Sequence, residues 1–172
     1  MSTSLPAPLS RLAHRIGSTL ALDSRAMAAG IEAALAEAVV APDWLPPERR
    51  RANHERYARH LLYGDPHGRF SILAIVWDPG QASPVHGHHC WCAVAVYQGA
   101  LVETRYREGA AGGPPLPVGT APRAAGSISF DPAAGSIHRL ANESGALAVS
   151  LHVYGIAPER VSDGINRIYS LT

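Results

Sequence analysis

The first third of the chain repeats its apolar positions every three or four residues, and the remainder breaks into short runs separated by Gly and Pro. Residues 8–20, with Leu9, Leu12, Ile16 and Leu20 in phase, predict one helix, and the Ala-rich residues 24–40 predict a second, capped by Asp23 or Ser24. Pro42 and the pair Pro46-Pro47 end this region, and a short third helix is expected near Glu48–Glu55. Tyr57 to Tyr63 and Arg69 to Trp77 flank the turn sequence Gly64-Asp-Pro-His-Gly68. They read as a helix end and a strand, or as a hairpin, and the turn chemistry favours the hairpin, with Tyr57, Arg59, Leu61 and Tyr63 on one face. Further strands are expected at 91–98, 100–107, 126–130, 136–140, 146–154 and 165–170, with Glu108 to Pro117 as a flexible loop. Short strands and frequent turns indicate a mainly β domain, closed or sandwiched, with the helices packed outside it. No internal repeat or second domain is visible; residues 1–172 read as one domain, helical to about residue 55 and β from about residue 56.

The stretch Gly80-Gln-Ala-Ser-Pro-Val-His86-Gly-His88-His-Cys-Trp-Cys92 lies where a turn runs into a strand. Alternate side chains of a strand share a face, so His86 and His88 point the same way and supply two imidazoles for a metal. A structural zinc site made of His86, His88, Cys90 and Cys92 is excluded, because those residues strung along one strand span about 20 Å at roughly 3.3 Å per residue. The remaining ligands must come from another strand.

Composition narrows the chemistry. A formal charge of +1 gives no electrostatic case for nucleic acid or an acidic membrane surface. The chain has no Lys, which removes Schiff-base and phosphate-loop lysine chemistry. Cys90 and Cys92, the two cysteines, stand about 6.6–6.8 Å apart along an extended chain, too far for an unstrained disulfide. They read as reduced thiols of a cytoplasmic protein. The N-terminus has no signal-peptide pattern, and no apolar run is long enough to span a bilayer.

Near the end, Ala146 to Gly155 alternates so that Ser150, His152 and Tyr154 share one face. Facing inward, the three form a hydrogen-bonded row in a cavity; facing outward, they are an ordinary solvated strand face.

Gly80, His86, His88, Cys92 and Gly99 resemble the first cupin motif, Gly-x5-His-x-His-x3-Glu-x6-Gly, except that Cys92 stands where most cupins carry a metal-binding Glu. Gly126, Pro132, Gly135, His138 and Asn142 resemble the second motif, with one extra residue between Pro132 and Gly135. This resemblance implies a small β-barrel or jelly roll with His86, His88 and His138 as metal ligands and no carboxylate. Three neutral imidazoles leave a divalent ion its full charge and open positions, which suits an anionic, chelating thiolate.

From about Tyr57 to Tyr154 the chain is similar to the cysteine dioxygenase family, the cupin-type thiol dioxygenases. The resemblance implies Fe(II) held by His86, His88 and His138, with a small thiol and dioxygen as substrates. Cysteine catabolism, by conversion of L-cysteine to cysteine sulfinic acid, is the activity it suggests, in a monomer or weak oligomer. It also implies a catalytic row of Ser150, His152 and Tyr154, a carboxylate site at Arg59 and Tyr57, and a possible thioether cross-link between Cys92 and Tyr154, for which the spacing is altered. After Tyr154 this chain has Gly155-Ile-Ala-Pro158 where mammalian-type members have Ser and two Pro. Two other readings are carried: a 3-mercaptopropionate dioxygenase, whose bacterial examples share the His-x-His-x-x-Trp pattern completed by Trp91 but typically carry Gln at the Arg59 position, and a non-catalytic cupin that binds a small ligand. A metal-dependent isomerase would be expected to keep the motif carboxylate.

Overall fold

In the computed structural model, residues 5–110, 113–132, 136–162 and 165–171 are described. Two helices, α1 (Ala7–Thr19) and α2 (Ser24–Val40), precede ten strands. The strands are β1 (Ala58–Gly64), β2 (Ser71–Trp77), β3 (His86–His88), β4 (Cys92–Gln98), β5 (Ala100–Arg107), β6 (Leu116–Ala124), β7 (Ile128–Asp131), β8 (Ile137–Ala141), β9 (Ala148–Tyr154) and β10 (Asn166–Ile168). They form two antiparallel five-stranded sheets, ordered β1-β2-β9-β4-β7 and β10-β3-β8-β5-β6. This is a cupin-type double-stranded β-helix with its helices outside. No helix among the described residues is long and apolar enough to cross a membrane.

The first sheet is buried on both faces, as the unbroken burial of β2 and β9 requires. Its outer face offers Ile72, Ala74, Val76, Ala93, Ala95, Val149, Leu151 and Val153 to Leu9, Leu12, Ile16, Ile31 and Leu35 of the helices. Alanines at 74, 93 and 95 let the helices come close. The inner face carries Leu73, Ile75, Trp77, Cys92, Val94, Val96 and Tyr154. Asp23 caps α2, accepting from the N–H groups of Arg25 and Ala26. At the other end Trp44 Nε1 donates to Ala38 O at 2.8 Å, satisfying one of the carbonyls a helix end leaves open.

Three expectations are corrected. The helix expected at Glu48–Glu55 is a single 3-10 turn, Pro47–Arg49; Asn53 then accepts from Glu55 N–H through its side chain, a local turn that competes with helix. In the β1–β2 hairpin a bulge between Leu61 and Tyr63 shifts the register. Arg59 and Leu61 stand opposite the inward-facing Ile75 and Leu73, while Tyr63 is turned to the outer face, 5.7 Å from the Phe70 ring. Those four residues therefore do not share a face.

The third correction is β6, which overlaps the end of the segment expected to be a loop. It carries Pro117, Gly119 and Pro122, residues that argue against a central strand, but it is the outermost strand of its sheet and is almost wholly exposed. Proline has no N–H for β5, so it fits where that donor would point off the sheet. A bulge between Arg105 and Tyr106 lets Pro117 and Pro122 oppose Tyr106 and Val102, an even step on β5.

Candidate metal centre

β3 and β8 run side by side in the second sheet, and their register sets His86 directly opposite His138. His88, two residues along β3, joins them from the same side. The ring centroids lie 5.0 Å (His86–His88), 4.6 Å (His86–His138) and 5.1 Å (His88–His138) apart. One nitrogen from each ring lies within 4.8 Å of the other two, close enough to be drawn onto one ion. Gly87 lets the strands approach this closely, since a Cβ there would stand 2.9 Å from Ser136 O. The motif residue Gly135 lies outside the described residues.

The three rings are buried, at 6%, 8% and 3% exposure for His86, His88 and His138. His86 Nδ1 is 2.9 Å from Pro84 O, and since a carbonyl only accepts, Nδ1 carries the proton and Nε2 is free as a ligand. His138 Nδ1 similarly donates to Glu103 Oε1 at 3.0 Å. Among the described residues, His138 Nε2 and both nitrogens of His88 are buried without a hydrogen-bond partner. Such orphaned atoms are costly unless something satisfies them, and a cation is what an unprotonated imidazole nitrogen satisfies. Burial, reinforced by His138, pushes His86 down to about 4, and burial, with His138 and His86, pushes His88 down to about 2. Both rings are thus neutral and ligand-ready at pH 7. The donor set fits a divalent metal.

Beside this cluster β9 presents its polar row inward. Trp77 Nε1 donates to Ser150 Oγ at 2.9 Å, Ser150 Oγ lies 2.8 Å from His152 Nε2, and Tyr154 OH lies 3.0 Å from His152 Nδ1. Tryptophan can only donate, which leaves Ser150 free to pass its own proton to Nε2. In that arrangement His152 Nδ1–H donates to Tyr154, whose hydroxyl hydrogen is available to the cavity. Burial holds His152 down to about 3 and raises Tyr154 well above its ordinary value, so both stay neutral. The Tyr154 ring is 5.6 Å from that of His88.

Cys92 stands opposite Tyr154 across β4 and β9, its sulfur within hydrogen-bonding reach of the tyrosine hydroxyl. Burial raises its thiol well above the ordinary range, and pushes the Cys90 thiol up to about 11. Both cysteines are free and buried, and Cys90 precedes β4 rather than sharing its strand. Tyr57 stacks on Trp77 at 4.7 Å, and the charge of Arg59, an exposed residue of β1, acts on both His152 and Tyr154. A surface cavity lined by Asn53, Arg56, Tyr57, Ala58 and Arg59 opens here. After Tyr154 the wall is built from Trp91 lying over Gly155, where a Cβ would fall 2.2 Å from Trp91 Nε1.

Sequence reasoning missed Trp77, Glu103 and the charged groups around Glu103. Glu103 is 3% exposed, alternates with the buried Leu101 on β5, and forms ion pairs with Arg105 and Arg123. A charged residue in phase with the apolar face of a strand was the available signal. Burial pushes the Glu103 carboxyl up, but hydrogen bonds from His138 and Arg123 and the charge of Arg105 outweigh it and hold it down at about 2. Asn142, at the end of the second motif, braces a turn: its amide donates to Trp77 O and Ala146 O.

Comparison with known proteins is consistent with this geometry. Among solved structures, TT1209 from Thermus thermophilus is similar at 29% identity and TM-score 0.51, over 66% of this chain and 96% of that one. A protein with a double-stranded β-helix domain from Klebsiella pneumoniae is similar at 16% identity and TM-score 0.52, over 72% and 93% of the two chains, which bears on the fold alone. The family model described as cysteine dioxygenase type I matches residues 41–161.

Proposed function

The chain belongs to the cysteine dioxygenase type I family, and from that premise we propose that it is a non-haem Fe(II) thiol dioxygenase that converts L-cysteine and dioxygen to cysteine sulfinic acid. The observation that carries this reading is the meeting of three imidazoles, His86, His88 and His138, beside the Tyr154 ring, with one nitrogen of each within 4.8 Å of the other two. Fe(II) held by these rings would supply an anchor for the thiolate and the redox chemistry of dioxygen. The protein's own groups bind and orient. Arg59, with Tyr57 beside it, clamps the substrate carboxylate through charge-assisted hydrogen bonds. Tyr154 keeps its proton and donates it as a hydrogen bond to the reacting groups, held in line by His152, Ser150 and Trp77. The reaction balances as thiol plus dioxygen giving sulfinic acid: sulfur loses four electrons, dioxygen gains them, and both oxygen atoms end on sulfur.

A second reading, with 3-mercaptopropionate as substrate, rests on Trp91, which completes the His-x-His-x-x-Trp pattern after His86 and His88. Oxygen consumption by the iron-loaded protein with cysteine and 3-mercaptopropionate side by side separates the two. Cysteine is expected to give the higher kcat/KM. Replacing His86 by Ala is expected to abolish iron retention and thiol-dependent oxygen uptake together. Full activity of protein stripped of iron would overturn the proposal.

A further inference from the structure

The three imidazoles are not supported alike. His86 donates to a neutral backbone carbonyl, His88 has no hydrogen-bond partner on either nitrogen among the described residues, and His138 donates to a buried carboxylate. That carboxylate is itself clamped. Arg123 reaches Glu103 Oε2 with Nε at 2.9 Å and with Nη2, and Arg105 Nη2 stands 3.3 Å from Oε1. Arg105 also bridges to Asp131 Oδ1 at 3.3 Å, which accepts from Ser136 Oγ at 3.0 Å. Glu103, Asp131 and His138 offer ligand atoms within 4.8 Å of one another, but two guanidinium groups already neutralise the two carboxylates, so the cluster does not call for a cation of its own.

We propose that Glu103 is a positioning residue for the metal centre: it fixes His138 as the Nδ1–H tautomer, aims Nε2 at the metal, and makes that imidazole the most electron-rich of the three, with Arg123 of β6 holding Glu103 in place. The proposal rests on the three-histidine reading above. A carboxylate that accepts the Nδ1 proton of a ligating histidine sets its ring orientation and raises its basicity, and removing such a partner typically weakens metal binding about 10–100-fold. The cupin position that usually supplies a carboxylate ligand is Cys92 here, so the acidic group acts through an imidazole instead of on the ion. β6 thereby acquires a role: an exposed edge strand delivers the guanidinium that keeps Glu103 from turning away.

Two measurements test this. Two-bond proton–nitrogen NMR of the metal-free protein reads the tautomer of His138, and anaerobic Fe(II) titration against a chelator reads affinity. In wild type His138 is expected as a single Nδ1–H tautomer. Glu103→Gln offers one acceptor oxygen to both His138 and Arg123, so it should give a mixed tautomer and Fe(II) affinity about 10–100-fold weaker. Arg123→Ala, on the exposed strand, should weaken Fe(II) binding by a smaller factor in the same direction, and it decides alone if Glu103→Gln does not fold. An unchanged tautomer and unchanged affinity in the variants that fold would overturn the proposal. Failure of wild type to take up Fe(II) would count against the three-histidine reading, and the tautomer measured without metal would still decide the role of Glu103.

Discussion

Cys92 and Tyr154 oppose one another on adjacent antiparallel strands, both buried, with thiol and phenol in mutual reach. Removal of one hydrogen from each would leave a thioether across β4 and β9. Intact-mass analysis after turnover with cysteine and dioxygen is expected to show a species lighter by two hydrogens, lost in Tyr154→Phe. Titration of both thiols on every unfolded chain after turnover would exclude it. Arg59 is the second residue whose role can be isolated. Its proposed partner is a carboxylate, so Arg59→Ala should raise KM for cysteine about 10-fold or more, as loss of one charge-assisted contact implies, while hardly changing KM for cysteamine, which has no carboxylate. Equal effects on the two would place Arg59 outside the pocket. At this scale the histidines were legible because two fixed spacings and the alternation of a strand determine which way they point. Glu103 was harder to read: its phase with Leu101 on β5 marks it as enclosed, but His138 and Arg123, which give it a role, arrive from β8 and β6.

Among the elements, the β1–β2 hairpin presents Arg59, and its turn is organised by one side chain. Asp65 accepts from Arg69 Nε at 2.7 Å and Nη2 at 2.8 Å, and from the N–H groups of His67 and Arg69 at 3.2 Å. The hydrogen bonds from the Arg69 side chain lead in holding the Asp65 carboxyl down at about 2, against about 3.9 for an unfolded aspartate. A folded-state value below the unfolded one means stability present above pH 4 and lost as pH falls toward 2. Asp65→Asn should therefore lower Tm at pH 7 by roughly 2–4 °C, and the gap from wild type should narrow as pH is taken from 4 to 2. A gap that stays constant over that range would show that the carboxylate charge is not what the turn uses. Gly64-Asp-Pro-His-Gly68 announced this hairpin in the sequence because turn chemistry is local. The bulge after Leu61 was not announced, since it is set by pairing with β2, and β6 was hidden because its prolines are tolerated only at an edge that tertiary structure creates.

Across the whole molecule, the helices cover one side of the first sheet and the three-histidine cluster faces the other, so packing and the candidate site are separated by a single layer of strands. Leu35, fully buried between α2 and that sheet, touches none of the site residues through hydrogen bonds or charge. Leu35→Ala should destabilise the fold by about 2–5 kcal/mol, as emptied core sites do, while kcat per folded, iron-loaded molecule stays near wild type at low temperature. A proportional loss of kcat with folding intact would show that the helical layer tunes the site. The architecture was legible because the change from helical to alternating periodicity coincides with the boundary between these two layers.

The prolines of β6 bear on how these molecules meet one another. A sheet rim invites a neighbouring chain to extend it by matching donors and acceptors along the open strand, and each proline removes a donor from that pattern. With Pro117 and Pro122 near its two ends and a bulge between, this rim offers a would-be partner a broken ladder. The strand that holds the Glu103 clamp from outside thus also resists recruitment into fibrous stacking, even at the high local concentrations reached during synthesis.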